Sequence, residues 1–347
     1  MEFKWPGEAL VEKLWETIAE KGIGGLLKPW QIAREGRAIV ETRKYEKLLL
    51  AQAEVDANEI AKGTKFLDKN GILRPLIKDA EEEKRIEPTI NLKSLSDSSA
   101  RLKIASSVKS EINASKAILY AEESLLNDTS EPPTKRIDPD WLDAWREYVG
   151  KISNEDIQKM WGQALAGELK SPGCFSMRTL DFLRWISQEE ALVISRVASF
   201  NIEGRLIKLK NHSFNDFGLK FNDILIMQEL GLLQGGEIDS IQTTFASTST
   251  DEFINPMKSN GKVILVTGED PKKTFDLKVS IFTKLGREIL KLGKFPHNIE
   301  YLTAVAQEIA SKDYNVKIGD WEQLNENQGR VTNLISVPTP ASTINPT

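Results

Sequence analysis

The stretch MWGQALAGELKSPGCFSMRTLDFL, residues 160–183, contains the pattern of one helix, a sharp break and the start of a second helix. Its first half contains four small residues, Gly162, Ala164, Ala166 and Gly167, which would let a second helix approach closely. The Ser-Pro-Gly that follows is typical of a helix end. Ser176 can then cap the next helix. The stretch therefore predicts two helices joined at a tight corner.

Cys174, the only cysteine of the chain, lies at this corner. A nucleophilic cysteine needs a base, usually a histidine, and the two histidines, His212 and His297, are far away in sequence. We expect Cys174 to be a small buried filler, with catalysis as the alternative. A single cysteine excludes an intramolecular disulfide, fits a reducing compartment and cannot build a Cys/His zinc site with two histidines.

The flanking residues continue the helical pattern. Asn154, or Ser153 before it, can open the first helix, and Ser187 with Glu190 forms a capping-box pattern for a third helix. Upstream, NDTSEPPTKRIDPD predicts a linker over 128–140. Asp140 is expected to cap the helix WLDAWREYVG. Three nearby aspartates leave a metal or acid–base site as the alternative interpretation: Asp138, Asp140 and Asp143.

Residues 157–191, IQKMWGQALAGELKSPGCFSMRTLDFLRWISQEEA, resemble a motif of uncharacterised bacterial domain-of-unknown-function proteins. These are similar to the abortive-infection alpha (Abi-alpha) family, in which a W/L-x-x-LLA-x-E helix meets a P-G-S-F-S-x-R-T-L turn. Cys174 departs from this pattern, because the family commonly has serine there. GIGGLLKPWQIAREGRA also resembles the N-terminal segment of such proteins. The resemblance implies a cytoplasmic bacterial protein connected with phage defence, and it implies no catalytic residues.

The N-terminal region is predicted to be helical and elongated. A first helix from Pro6 or Gly7 to Lys21 has an apolar stripe, and longer helices are expected over 31–66 and 98–126. The stripe and the Gly-rich segment after it could contact either a membrane surface or a partner, or pack on the body of the protein. The residues concerned are Leu10, Leu14, Trp15, Ile18, Ile23, Leu26, Leu27 and Trp30. The first sixteen residues are rich in acids and do not resemble a signal peptide.

The C-terminal half has a different pattern. RLIKLK predicts a strand, and FNDILIMQELGLLQGG predicts a helix closed by Gly231. KVILVTGEDPKKTFDLKVSIFT predicts a hairpin whose turn lies in 268–273, and Thr283 caps the helix that follows. This order of elements is typical of a winged-helix-like module. Residues 325–347 are expected to form a disordered tail.

The charge pattern leaves two kinds of partner open. The net charge of −5 gives no global argument for nucleic acid, but basic residues cluster after residue 271: Lys272, Lys273, Lys278, Lys284, Arg287, Lys291 and Lys294. The first six of these residues are candidate contacts to nucleic acid or to a protein partner. The predicted recognition helix 221–230 has no arginine, which disfavours DNA because phosphate binding needs Lys or Arg.

The sequence therefore predicts a mainly α protein with a small β component (α+β). We expect a helical N-terminal region over 1–127, a helical core over 141–200 and a winged-helix-like module over 201–324. The leading functional hypothesis is a non-enzymatic protein that acts through protein association or self-association, in phage defence by resemblance. The alternatives are a DNA-binding regulator and a membrane-acting effector. No cofactor, metal site or small-molecule substrate is inferred.

Overall fold

The computed structural model describes residues 6–22, 39–76, 92–235, 241–323 and 329–338. They form an α+β protein that divides into two compact units, Met1–Arg184 and Trp185–Thr347. The boundary falls inside the segment predicted as one helical core.

The first unit consists of helices and one small hairpin. Its elements are α1 (Glu8–Glu20), α2 (Ile39–Lys62), β1 (Lys65–Leu67), β2 (Leu73–Pro75), α3 (Leu92–Leu125), α4 (Pro139–Val149), α5 (Glu155–Lys170) and α6 (Met177–Trp185). The long helix predicted over 31–66 ends four residues early, because β1 and β2 pair immediately after it. Helix α3 begins six residues before its predicted start.

Helix α3 is the centre of the first unit, and it packs against α1, α2, α4 and α5. The closest approach is to Gly162 of α5, where a Cβ atom would lie 2.6 Å from Tyr120 Cβ and 2.7 Å from the Ala117 carbonyl oxygen. Gly162 of the opening stretch therefore acts as predicted, because it allows two helix backbones to come together. A buried amide pair adds specificity, since Gln158 Nε2 donates to Asn113 Oδ1 over 3.1 Å.

The second unit begins with α7 (Gln188–Ala198) and contains two four-stranded antiparallel sheets. The remaining elements are β3 (Arg205–Lys208), a 3-10 helix (Phe214–Phe217), α8 (Phe221–Glu229), β4 (Leu233–Gln234), β5 (Ile241–Phe245), β6 (Phe253–Ser259), β7 (Lys262–Gly268), β8 (Phe275–Phe282), α9 (Lys284–Leu290), α10 (Ile299–Ala310), β9 (Asn315–Gln323) and β10 (Gly329–Ser336). In the first sheet β8 pairs with β3, β4 and β5, and the second sheet has the order β10-β9-β7-β6.

The hairpin predicted over 262–283 is wrong. Both of its strands exist, but β7 pairs with β6 and β9, whereas β8 belongs to the other sheet. The hairpin that does form joins β6 to β7 through Asn260 and Gly261, whose φ angles are 41° and 80°. Asn-Gly is the strongest short hairpin signal, because both residues accept positive φ at low cost. This turn lies in a Ser/Thr-rich region for which the sequence predicted no strand.

The C-terminal residues also differ from the prediction. Residues 329–336, expected in a disordered tail, form β10 and pair with β9, for example Val331 with Trp321. Most of β10 is solvent-exposed, so its residues lack the apolar alternation from which a strand is predicted. The rest of the predicted tail lies mostly outside the described residues.

Buried aromatic side chains form the core of the second unit. Tyr301 of α10 is fully buried, with its ring centroid 4.9 Å from that of Phe200 and 6.1 Å from that of Phe214. Its hydroxyl accepts a hydrogen bond from Ile207 N over 2.6 Å and donates to Ile207 O over 2.8 Å. Burial raises the pKa of the Tyr301 hydroxyl. Because β3 is an edge strand, Ile207 has no neighbouring strand on its outer side, and the Tyr301 hydroxyl pairs with its N–H and C=O groups instead.

Candidate functional site

The corner around Cys174 is a structural turn. Glu168, which is buried at the end of α5, accepts hydrogen bonds from the backbone N–H groups of Gly173 and Phe175. The ring of Phe175 covers Gly167, where a Cβ would lie 2.6 Å from Phe175 Cε2. Cys174 is only half-buried, so the expectation of a fully buried filler needs correction.

Two of the caps predicted around this corner are confirmed and one is wrong. Asn154 caps α5, and Ser187 and Glu190 form a complete capping box on α7. The predicted cap of α4, Asp140, is wrong: Asp138 accepts from the backbone N–H groups of Asp140 and Trp141, and Pro139 occupies the first helical position. Proline is favoured there because that N–H has no partner within the helix. Among the described residues, no group of three His, Cys, Asp or Glu side chains is placed to hold a metal.

The apolar stripe of α1 faces the protein interior. Leu10, Leu14 and Ile18 are buried, and α1 packs against α3 and α5. Trp15 is also buried, and its indole N–H donates to Glu122 over 3.2 Å. The stripe therefore forms part of the helical core, as in the alternative that the sequence left open. The other four candidate contact residues lie outside the described part of the chain: Ile23, Leu26, Leu27 and Trp30. No described helix combines the length and apolarity needed to cross a membrane.

The six predicted basic residues are spread along β8 and beyond both of its ends. Lys272 and Lys273 precede β8, Lys278 lies within it, and the other three follow it on or after α9: Lys284, Arg287 and Lys291. Because an eight-residue strand spans roughly 24 Å, the first and last groups lie at opposite ends of β8.

Two of these basic residues serve the local fold. The ammonium group of Lys273 donates to the Lys312 and Asp313 carbonyl oxygens, each over 3.2 Å, and lies 4.4 Å from the Tyr314 ring centroid. Arg287 donates to the Phe282 carbonyl oxygen over 2.8 Å. These contacts reduce the number of cations that are available for a phosphate backbone.

Helix α8, the predicted recognition helix, exposes apolar and acidic side chains. Phe221 and Leu225, one turn apart, are 42% and 37% exposed, while Ile224 and Met227 are buried on the opposite side. Glu229 lies one further turn along the exposed side. The helix contains neither lysine nor arginine.

Helix α7 packs against α8 and exposes one apolar and one acidic side chain of its own. Leu192 of α7 is 55% exposed, and Glu189 precedes it by one turn on the same side. We call these five residues the α7–α8 surface: Glu189, Leu192, Phe221, Leu225 and Glu229.

Arg196 of α7, which lies beside α8, is already paired with an acid. The Arg196 guanidinium of α7 donates to both carboxylate oxygens of Asp223, over 2.8 and 3.3 Å. This hydrogen bonding lowers the pKa of the buried Asp223 carboxyl, so it stays ionised near neutral pH. The pair fixes α8 against α7 and leaves the α7–α8 surface net acidic. The absence of arginine from α8 is evident in the sequence, but the exposure of Leu192, Phe221 and Leu225 is not, because it depends on packing.

The fold and its surfaces define an α+β protein that contains a helical unit and a two-sheet unit. The chain belongs to the DUF2806 family, described as "Protein of unknown function (DUF2806)", whose family profile matches residues 107–306. The matched region extends from α3 into α10 and includes the opening stretch. No match to the chain was found among curated proteins or among solved structures.

Proposed function

We propose that this protein acts without catalysis, by binding another protein through the α7–α8 surface. The exposed side of α8 carries the proposal: two apolar side chains one turn apart, an acidic rim and no basic residue. Large apolar side chains at the centre of a polar rim are typical of protein-binding surfaces.

The α7–α8 surface belongs to what we infer to be a winged-helix-like module. The order α7, β3, 3-10 helix, α8, β4/β5, β8 and the placement of β8 between β3 and β4 support this inference. The β6–β7 hairpin is then an insertion between the two strands of the wing, β5 and β8. In helix-turn-helix proteins the helix equivalent to α8 enters the DNA major groove. A fold of this kind also serves protein association, since fold alone does not determine function.

The chemistry of α8 favours a protein over DNA. A recognition helix meets closely spaced phosphates, and their neutralisation by Lys and Arg supplies most of non-specific affinity. Phe221, Leu225 and Glu229 offer no such neutralisation, and Glu229 would repel the phosphates. Arg196 of α7 is committed to Asp223.

The same charges indicate the kind of partner. In a symmetric dimer built on this surface, both charged residues, Glu189 and Glu229, would meet a surface whose charges are also acidic, and like charges across an interface are unfavourable. A different protein with an apolar centre and a basic rim fits better. The resemblance to Abi-alpha proteins supports a role in phage defence for this association.

Titration of the full-length chain against mixed-sequence duplex DNA at two salt concentrations tests the proposal. We expect nothing tighter than the non-specific range of roughly 10⁻⁴–10⁻⁶ M at physiological salt. Sub-micromolar, sequence-selective binding would establish the alternative, a DNA-binding regulator.

A plaque assay on bacterial cells expressing the chain tests the biological role. We expect a reduced plaquing efficiency for at least part of a phage panel, and we expect Leu225→Glu to abolish the reduction. Leu334→Glu is the matched control, because Leu334 is exposed to a similar extent (42%) on β10. Equal protection by the Leu225→Glu variant would contradict the assignment of the α7–α8 surface.

A further inference from the structure

A groove of about 590 Å³ opens in the second unit among β3, the 3-10 helix, β5, β8 and α10. Its volume lies within the range of about 300–1,000 Å³ that small-ligand sites occupy. Apolar side chains and rings line part of the wall, among them Ile207, Phe214, Phe217 and Tyr301. The groove does not include the α7–α8 surface.

The groove is positively charged, although the chain as a whole has a net charge of −5. Its lining contains two carboxylates and four lysines, so its formal charge is +2. The lysines are Lys208, Lys210, Lys278 and Lys312. Lys208 and Lys278 are direct cross-strand partners on β3 and β8. Like charges in that register repel each other, and a bound anion would relieve the repulsion.

The two carboxylates are hydrogen-bonded within the groove wall. Asp276 accepts from Gln242 Nε2 over 3.0 Å and from Thr244 Oγ1 over 2.6 Å. Glu308 accepts from the backbone N–H of Lys210 over 2.9 Å.

By contrast, three of the ammonium groups are available to a ligand. Within the part of the chain that the structure describes, the side chains of Lys210, Lys278 and Lys312 make no hydrogen bond or ion pair. Such concave, unneutralised positive charge attracts anions.

Two rings at the groove add a site for a flat group. His212 is exposed, and its ring centroid lies 5.6 Å from that of the half-buried Phe217, with the ring planes at 57°. A planar heterocycle can stack on such rings. Cations and rings side by side match a ligand that has both an anionic and an aromatic part.

We propose that this groove binds a nucleoside phosphate, with its phosphate among Lys210, Lys278 and Lys312 and its base against His212 and Phe217. The ligand is either a free mononucleotide or the phosphorylated end of a single-stranded nucleic acid, because both present the same chemistry. This site is independent of the proposed protein association.

Calorimetric titration of the full-length chain tests the proposal, with AMP, ribose 5-phosphate, adenosine and a 5′-phosphorylated tetranucleotide as probes. AMP should bind at least about tenfold more tightly than adenosine, since each charge-assisted hydrogen bond contributes on that scale. AMP should also bind more tightly than ribose 5-phosphate, because base stacking adds affinity. Tighter binding of the tetranucleotide than of AMP would assign the ligand to a strand end, and equal or weaker binding would assign it to a free nucleotide.

Paired variants separate this site from general surface charge. Lys278→Gln with Lys312→Gln should weaken AMP binding by about tenfold or more. Lys272→Gln, on an exposed loop residue outside the groove, should leave it unchanged. Circular dichroism establishes that each variant is folded. Absence of AMP binding to the wild type at millimolar concentration, equal affinity for AMP and ribose 5-phosphate, or an unchanged affinity in the folded double variant would each overturn the proposal.

Discussion

The substitution Gly162→Ala should destabilise the first unit, although alanine is the better helix former. The new Cβ would lie 2.6 Å from Tyr120 Cβ, 2.7 Å from Ala117 O and 2.9 Å from Ala121 N. Carbon contacts are optimal at about 3.5–4.0 Å, so α3 and α5 would have to separate by about 1 Å. Two of the three atoms belong to the α3 backbone and cannot rotate away.

The magnitude follows from two opposing effects. Overpacking costs about 1–3 kcal/mol, and two rigid backbone contacts place this site at the upper end. Replacing glycine within a helix recovers about 1 kcal/mol. The expected net loss is therefore about 2 kcal/mol in the free energy of unfolding, or about 4–8 °C in Tm for a unit of this size.

Urea unfolding followed by tryptophan fluorescence measures this loss, because Trp145 and Trp161 are buried in the same unit. Gly167→Ala is the matched control. It is the same substitution on the same helix, but its Cβ would meet the ring of Phe175, 2.6 Å away, which can shift. We expect this variant to lie within about 1 kcal/mol of the wild type. A Gly162→Ala protein as stable as the wild type would refute the close-approach argument.

Three further substitutions test other parts of the structure. Tyr301→Phe should cost about 1–3 kcal/mol in thermal or urea unfolding, because the buried N–H and C=O of Ile207 lose their partner; an unchanged stability would show that these groups are satisfied otherwise. Asp223→Asn should lower stability at pH 7 by about 1–3 kcal/mol. Because Arg196 lowers the pKa of folded Asp223, the wild type's advantage should be full above about pH 5 and should fade as the pH drops below about 4, and a pH-independent difference would contradict the ion pair. Cys174→Ser should leave both unfolding and phage protection unchanged, and loss of protection in a stably folded variant would restore Cys174 as a candidate nucleophile.

Local chemistry made much of the helical fold predictable. Cap residues such as Asn154 and Ser187 signal a helix start within a few residues, and Gly162 signals a close helix approach without any knowledge of the partner. The pairing of strands within the sheets was harder to predict from the sequence. The strands β7 and β8 were predicted from alternation, but alternation does not identify the partner strand, and the six exposed or half-buried loop residues between them resembled a hairpin turn. The Asn260-Gly261 turn was the signal that would have corrected the pairing.

The candidate surfaces depended still more on tertiary structure. Phe221 and Leu225 occur in a helix with many apolar residues, and only the burial of Ile224 and Met227 distinguishes the exposed side from the core side. The apolar stripe of α1 was ambiguous for a related reason. An amphipathic pattern alone does not show whether protein or membrane covers the apolar side. The basic residues after 271 were close in sequence, but the length of β8 separates them.

Photo-crosslinking from position 221 tests the central claim most directly. A photoreactive phenylalanine analogue at this position preserves the shape of the native Phe221, which is 42% exposed. After irradiation of phage-infected host cells, we predict one dominant protein adduct that resists nuclease, disappears with Leu225→Glu and persists with Leu334→Glu. An adduct that nuclease removes, or no adduct above that obtained from position 334, would contradict recognition of a protein through the α7–α8 surface.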